Sequence, residues 1–297
     1  MVNLGRVLTA MVTPFDDEGN VDYEQAKKLA LALVASGSDG VIVSGTTGES
    51  PTLTRNEKLR LFGELKSALG EKGSVVAGTG SYDTRESLEL TREAERSGVD
   101  AALLVVPYYN KPTQEGLLQH FTTIARGTRL PCILYNVPSR TITNLMPETV
   151  IELSRVDNIV AIKEASGDLD QAARIIDGTA SDFLLYSGND GDTLELMSRG
   201  GYGVISVASH IVGNQINAMV AKASDGKTAE AADIDRALAP LFKALFVIAN
   251  PMPIKHALNH LGFRVGNPRL PLTPPDAKSA ATIEAELKRH TIDLPLG

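Results

Sequence analysis

A chain of 297 residues, 43% apolar and 22% charged, has the length and composition to bury a real core as one large folded unit or two small ones. Its net charge of −7, with no basic run, argues against nucleic acid or an anionic membrane surface as a main partner. The single cysteine, Cys132, excludes an internal disulfide. With no stretch near the roughly 20 apolar residues of a membrane helix and no signal-peptide pattern at the start, a cytoplasmic protein is expected.

The chain opens with an apolar run, VLTAMVTP (7–14), followed by YEQAKKLALALVASG (23–37), which has apolar residues at helical spacing and stops at a glycine. The strand-like DGVIVSG (39–45) precedes TRNEKLRLFGELKSALG (54–70), where Thr54 and Glu57 form a capping-box signature. SVVAGTG (74–80) leads to the helical TRESLELTREAERSG (84–98), and AALLVVPYY (101–109) leads to PTQEGLLQHFTTIARG (112–127). PCILYNVP (131–138), IVAIKEAS (159–166), FLLYSGND (183–190) and YGVISVASH (202–210) complete eight short apolar runs. The helical patterns 146–156, 168–178 and 191–201 lie between them. Near-continuous apolar runs suit parallel strands covered on both faces, and eight strand–helix units predict an α/β fold, a (β/α)8 TIM barrel. An open doubly wound sheet is disfavoured, because the first turn, TPFDDEGN, carries no glycine fingerprint for a dinucleotide phosphate. After residue 211 helices follow one another without strands. The expected division is a catalytic barrel over 1–225 and a C-terminal helical extension over 226–297.

In such a barrel chemistry sits where strands end. Those ends are polar here: GTTGES (45–50), GTGSYD (78–83), PYYNKP (107–112), YNVPSRT (135–141), KEASGD (163–168), SGND (187–190) and SVASH (206–210). Glycines 45, 48, 78, 80 and 188 suggest close backbone approach or a positive φ. Alternation puts Ile159, Ala161 and Lys163 on one face of strand 6, and Ile133, Tyr135 and Val137 on one face of strand 5. If these faces are inward, Lys163 and Tyr135 meet at the top of neighbouring strands.

Two readings of Lys163 stand at this level. It is a strand exit whose ammonium reaches water, or an amine in apolar surroundings that attacks a carbonyl to form a Schiff base. A lysine ordinarily titrating near ~10.4 becomes substantially neutral at pH 7 at a cost of roughly 4 kcal/mol, which burial can supply. GTTGES is either a plain tight turn or a backbone N–H cradle for a carboxylate or phosphate. Tyr108 and Tyr109 could only pack, and Arg140 could be a surface charge. His256 and His260 stand at i, i+4 but lack the glutamate of a zinc motif, so no metal is expected. Carbanion chemistry beside a carbonyl needs a metal or an iminium as electron sink, and with no visible metal site the lysine reading gains ground.

Taken together, GTTGES (45–50), PYYNKPTQEG (107–116), YNVPSRT (135–141), IKEASGD (162–168) and GVISV (203–207) resemble the dihydrodipicolinate synthase family of pyruvate-dependent class I aldolases, in register from about residue 5 to 265. The resemblance implies condensation of pyruvate with aspartate 4-semialdehyde in the diaminopimelate route to lysine, with no cofactor. By position in the motifs, it implies Lys163 as the Schiff-base residue and Tyr135 as the main proton carrier. Thr46 and Thr47 would bind the pyruvate carboxylate through backbone N–H groups, with the Thr46 hydroxyl between two tyrosines. Tyr109 would complete the relay from a neighbouring subunit, Arg140 would bind the semialdehyde carboxylate, and Gly188 and Ile205 would line the pocket. It also implies a homotetramer built as a dimer of dimers.

The segment after GTTGES departs from lysine-inhibited members. Arg55 and Lys58 stand where two histidines are usual, and Tyr82 replaces an asparagine, while Glu86 remains. Cations there repel a ligand ammonium, so weak or absent lysine feedback is expected. An N-acetylneuraminate lyase or 2-keto-3-deoxy acid aldolase shares the lysine and the threonine turn, but Arg140 and the Tyr108–Tyr109 pair favour the synthase. A non-catalytic scaffold or sensor would show degraded catalytic positions, and none is degraded.

Overall fold

The computed structural model describes residues 3–295. Eight strands, β1 (Val7–Ala10), β2 (Gly40–Val43), β3 (Ser74–Gly78), β4 (Ala101–Val105), β5 (Cys132–Asn136), β6 (Ile159–Glu164), β7 (Leu184–Ser187) and β8 (Gly203–Ser206), close into a barrel in sequence order. Every neighbour pair is parallel, including β8 with β1. The (β/α)8 expectation therefore holds.

The apolar runs divide by face. Leu8, Ile42, Val76, Leu103, Ile133 and Ile205 fill the barrel interior. Val7, Val41, Val75, Leu104, Leu134 and Val204 pack outward against the helices. Burial on both faces leaves no polar position to alternate with, which is why the strands read as continuous apolar runs.

Strand 6 breaks the simple alternation. Cys132 pairs with Ile159 and Ile133 pairs with Ala161, so the register slips by one residue. Ile159 then faces the outer layer while Ala161 faces inward. The expected shared face of Ile159, Ala161 and Lys163 is thus corrected at Ile159, because an extra residue in one strand breaks the two-residue period.

The capping box at Thr54 is present: Glu57 N donates to Thr54 Oγ1 at 3.3 Å, and Thr54 N donates to Glu57 Oε2 at 2.8 Å. Beyond β8 come helices Ser209–Ser224, Thr228–Ala244, Met252–His260 and Ala277–Leu287. Two short elements escaped the sequence pattern, a 3-10 turn at Ser50–Thr52 and a single helical turn at Pro138–Thr141 that carries Arg140. Both are too short for any periodicity to register.

Non-glycine residues with positive φ cluster at one end of the barrel. Ser44, Glu49, Tyr109, Lys111 and Ile142 all lie just after β2, β4 or β5, with φ between 48° and 73°. Backbone of this kind is uncommon for residues with a side chain and gathers at functional sites.

Candidate active site

Lys163 and Tyr135 are register partners on β6 and β5. Both are buried, at 5% and 6% exposure, so the reading of Lys163 as a solvent-facing strand exit fails. The lysine Nζ lies 4.5 Å from the centre of the Tyr135 ring, an arrangement in which the π-face shields the amine from water. On the other side of β6, Lys163 pairs in register with Tyr186.

Gly188 explains itself beside this lysine. A Cβ there would come within 2.6 Å of Ala165 Cβ and 3.1 Å of Lys163 Cε. The bare backbone lets the lysine stem pass. Glycines 48, 78 and 80 are also close-approach positions, but Gly45 has only ordinary contacts, and none of the five has a positive φ. The expectation for Gly45 is corrected accordingly.

A cavity of about 220 Å³ has Thr46, Tyr108, Tyr135 and Arg140 in its lining; Lys163 is not a lining residue and adjoins it through its contact with the Tyr135 ring. The turn 45–50 forms one wall. It is closed by Glu49 N donating to Thr46 O at 3.1 Å and Ser50 N donating to Gly45 O at 3.2 Å. Among the described residues, no protein acceptor takes up the backbone N–H of Thr46 or Thr47. Free N–H groups on adjacent residues of a tight turn are suited to a carboxylate. The Thr47 side chain is buried, and its hydroxyl accepts from Asn250 Nδ2 at 2.9 Å.

Arg140 lines the same cavity, and its Nη2 donates to Asn250 O at 3.0 Å. A guanidinium tethered by one nitrogen keeps further donors for a carboxylate. Ile205 sits deeper, fully buried in the barrel interior and away from the cavity lining.

Tyr109 stands apart. It is 94% exposed with φ at 73° and does not reach the cavity of its own chain. Its neighbour Tyr108 lines the cavity instead and stacks edge-on against Tyr82, ring centres 5.2 Å apart. Burial raises the Tyr108 hydroxyl's pKa above its ordinary value, so it stays protonated.

Sequence reasoning missed Asp190. It is buried, accepts from Val207 N at 3.1 Å and Ala208 N at 3.0 Å, and pairs closely with Ser206. Burial raises its pKa while those bonds, and the nearby Lys163 charge, oppose the rise. Asn250 was missed too, for it binds both Thr47 and Arg140 from beyond the barrel strands. Asp190 closes the polar strand end SGND (187–190), but no spacing singled it out, and Asn250 carries no local motif.

In the segment after the turn, Arg55 is engaged by Glu93 at 2.8 Å and Glu89 at 3.7 Å. Burial lowers the pKa of Lys58, and Glu86 opposes that shift. Buried Cys132 has its thiol pushed up to about 12, which makes it inert. His256 and His260 both face Glu284, at 3.0 and 3.5 Å. Among the described residues no group of three or more His, Cys, Asp or Glu forms a metal-ligand cluster.

Residues 3–290 match the model of the dihydrodipicolinate synthetase family. The 4-hydroxy-tetrahydrodipicolinate synthase of Dehalococcoides mccartyi strain CBDB1 is 62% identical over 296 residues, covering 100% of both chains. That of Heliobacterium modesticaldum is 51% identical over 98% of this chain and 97% of its own. Among solved structures, a dihydrodipicolinate synthase of Bacillus anthracis superposes with a TM-score of 0.95 at 45% identity, covering 98% of this chain and 100% of that one. The enzyme of Cyanidioschyzon merolae with lysine bound gives 0.95 at 49% identity over 96% and 98%.

Proposed function

The chain belongs to the dihydrodipicolinate synthetase family, and from that membership we propose a residue-level account of how it condenses pyruvate with L-aspartate 4-semialdehyde to 4-hydroxy-tetrahydrodipicolinate. This is the lyase-type, Schiff-base reaction of the diaminopimelate route to lysine. The sister lyase reading is not favoured, since the relatives at 51–62% identity are synthases.

Lys163 attacks the ketone carbon of pyruvate as the neutral amine, and water leaves as the iminium forms. The iminium draws electrons when a methyl proton departs, giving an enamine. The enamine carbon attacks the aldehyde, and the new alkoxide takes a proton. The substrate amine then adds to the iminium carbon, Lys163 departs, and the ring closes. Tyr135 carries the protons, with Thr46 and a Tyr109 from a second subunit relaying them to solvent. The Thr46 and Thr47 N–H groups hold the pyruvate carboxylate. Arg140 holds that of the semialdehyde in a two-point fork. Gly188 leaves room for the Lys163 stem, and Ile205 packs the barrel interior below the cavity rather than lining it.

The carrying observation is the buried Lys163 amine 4.5 Å from the centre of the Tyr135 ring, which itself lines a cavity together with Thr46 and Arg140. Assembly as a homotetramer, a dimer of dimers, belongs to the same reading and is supported by the exposed, left-handed Tyr109. We place the reaction in the cytoplasm; among the described residues no helix is long and apolar enough to cross a membrane.

Borohydride reduction in the presence of pyruvate, followed by peptide mass spectrometry, tests the reading. The expected product is a reduced pyruvate adduct on Lys163. An unmodified Lys163, or an adduct on another lysine, overturns it.

A further inference from the structure

The turn that walls the cavity is held in shape from far along the chain. Glu49 has φ 57° and ψ 38°, a left-handed conformation that residues with a side chain rarely adopt. Its carboxylate is completely buried against Lys255, a lysine 1% exposed. Lys255 lies on the helix Met252–His260 and donates to Glu49 Oε1 at 2.7 Å, Thr13 O at 2.9 Å and Asn267 O at 3.3 Å. These account for all three ammonium hydrogens. The other Glu49 oxygen accepts from Arg269 N at 2.8 Å. Next to Glu49, the Gly48 carbonyl accepts from Thr13 Oγ1 at 2.7 Å. Thr13 therefore touches both the turn and the lysine.

A buried ion pair is a poor source of net stability, because desolvation of both charges offsets their attraction. Its directional hydrogen bonds nevertheless specify geometry. Here they specify Glu49, two residues beyond Thr47, in a conformation the backbone would not choose. We propose that Lys255 is a positioning residue for pyruvate: through Glu49 it holds the 45–50 turn so that the Thr46 and Thr47 N–H groups remain free to bind the substrate carboxylate. The inference rests on the reading of that turn as the carboxylate site.

Asn250, just before the helix that carries Lys255, binds Thr47 on one side and Arg140 on the other, which separates two outcomes. General loosening of the segment would disturb both substrates. Loss of the Lys255–Glu49 contact alone should disturb pyruvate. K255M is compared with the unaltered enzyme in pyruvate KM, semialdehyde KM, kcat and the pyruvate concentration that half-saturates borohydride trapping. The expected result is a rise of about tenfold or more in pyruvate KM and trapping midpoint, with semialdehyde KM changed less than about twofold. If circular dichroism shows that K255M does not fold, E49Q, which keeps the shape and removes only the charge, carries the same expectation. A folded variant with the original pyruvate dependence overturns the proposal, as does an equal rise for both substrates. Failure of the unaltered enzyme to trap pyruvate on Lys163 would instead sink the underlying reading of the site.

Discussion

Lys163 and Tyr135 stand directly opposite one another on β6 and β5, and the lysine nitrogen rests 4.5 Å from the phenol's ring centre. The ring thus has two separable jobs, covering the amine with its face and moving protons with its hydroxyl. Tyr135→Phe keeps the first and removes the second. Trapping of pyruvate on Lys163 should persist, while kcat falls by about 10² to 10⁴. A kcat close to the original would remove Tyr135 from proton transfer.

Gly188→Ala tests how tightly the lysine stem is gripped. The added methyl would lie 3.1 Å from Lys163 Cε and 2.6 Å from Ala165 Cβ, so one of them must move. A displacement near 1 Å at a reacting group costs on the order of 10²-fold in rate. Steady-state kinetics on the folded variant should show that loss in kcat. Full activity would mean that the stem relaxes freely.

Tyr109 is 94% exposed and cannot serve the cavity of its own chain. If it completes a second subunit's relay, specific activity should fall as the assembly is diluted into monomers. Tyr109→Phe should lower kcat without changing the sedimentation of the assembly. Constant specific activity through dissociation, followed by analytical ultracentrifugation, would exclude the relay role.

Arg269 donates to both oxygens of Glu57, at 2.5 and 3.0 Å, and holds that carboxyl down to about 2. A carboxyl with a depressed folded pKa stabilises the protein above its unfolded value, and the contribution disappears as pH falls through the folded value. Glu57 should therefore contribute fully above pH about 5 and progressively lose its contribution down to pH about 2. Denaturant titrations of Glu57→Gln should show a shallower decline of stability across that window. An acid limb identical to that of the unaltered protein would refute the assignment.

Lysine feedback should be weak or absent. Arg55 is engaged by Glu93 and Glu89, and both it and Lys58 feel the Glu86 charge. A lysine ammonium approaching Glu86 would be repelled by these two cations. Lys58→His should strengthen inhibition; potent inhibition of the unaltered enzyme at low lysine concentration would contradict the prediction.

The alternation of elements, the closed parallel barrel and the polar strand ends were legible in the sequence because they depend on short periods and local stop signals. Tyr135 and Lys163 could be matched by counting twos along neighbouring strands. Counting failed at Ile159, where the register slips by one residue. It also passed over the turn at Pro138–Thr141, which is shorter than any period it could reveal.

What lay beyond reading was the support of the site. Asn250 meets Thr47 across 203 residues, and Lys255 meets Glu49 across 206. No spacing rule joins positions so distant, since their meeting depends on how the C-terminal helices pack against the barrel mouth. The chain's local chemistry identified the amine, the phenol and the threonine turn. The cavity that joins the phenol to the threonine turn, with the amine against the phenol's ring and Tyr109 exposed outside, arose from closing eight strands into a ring, where side chains from separate segments converge.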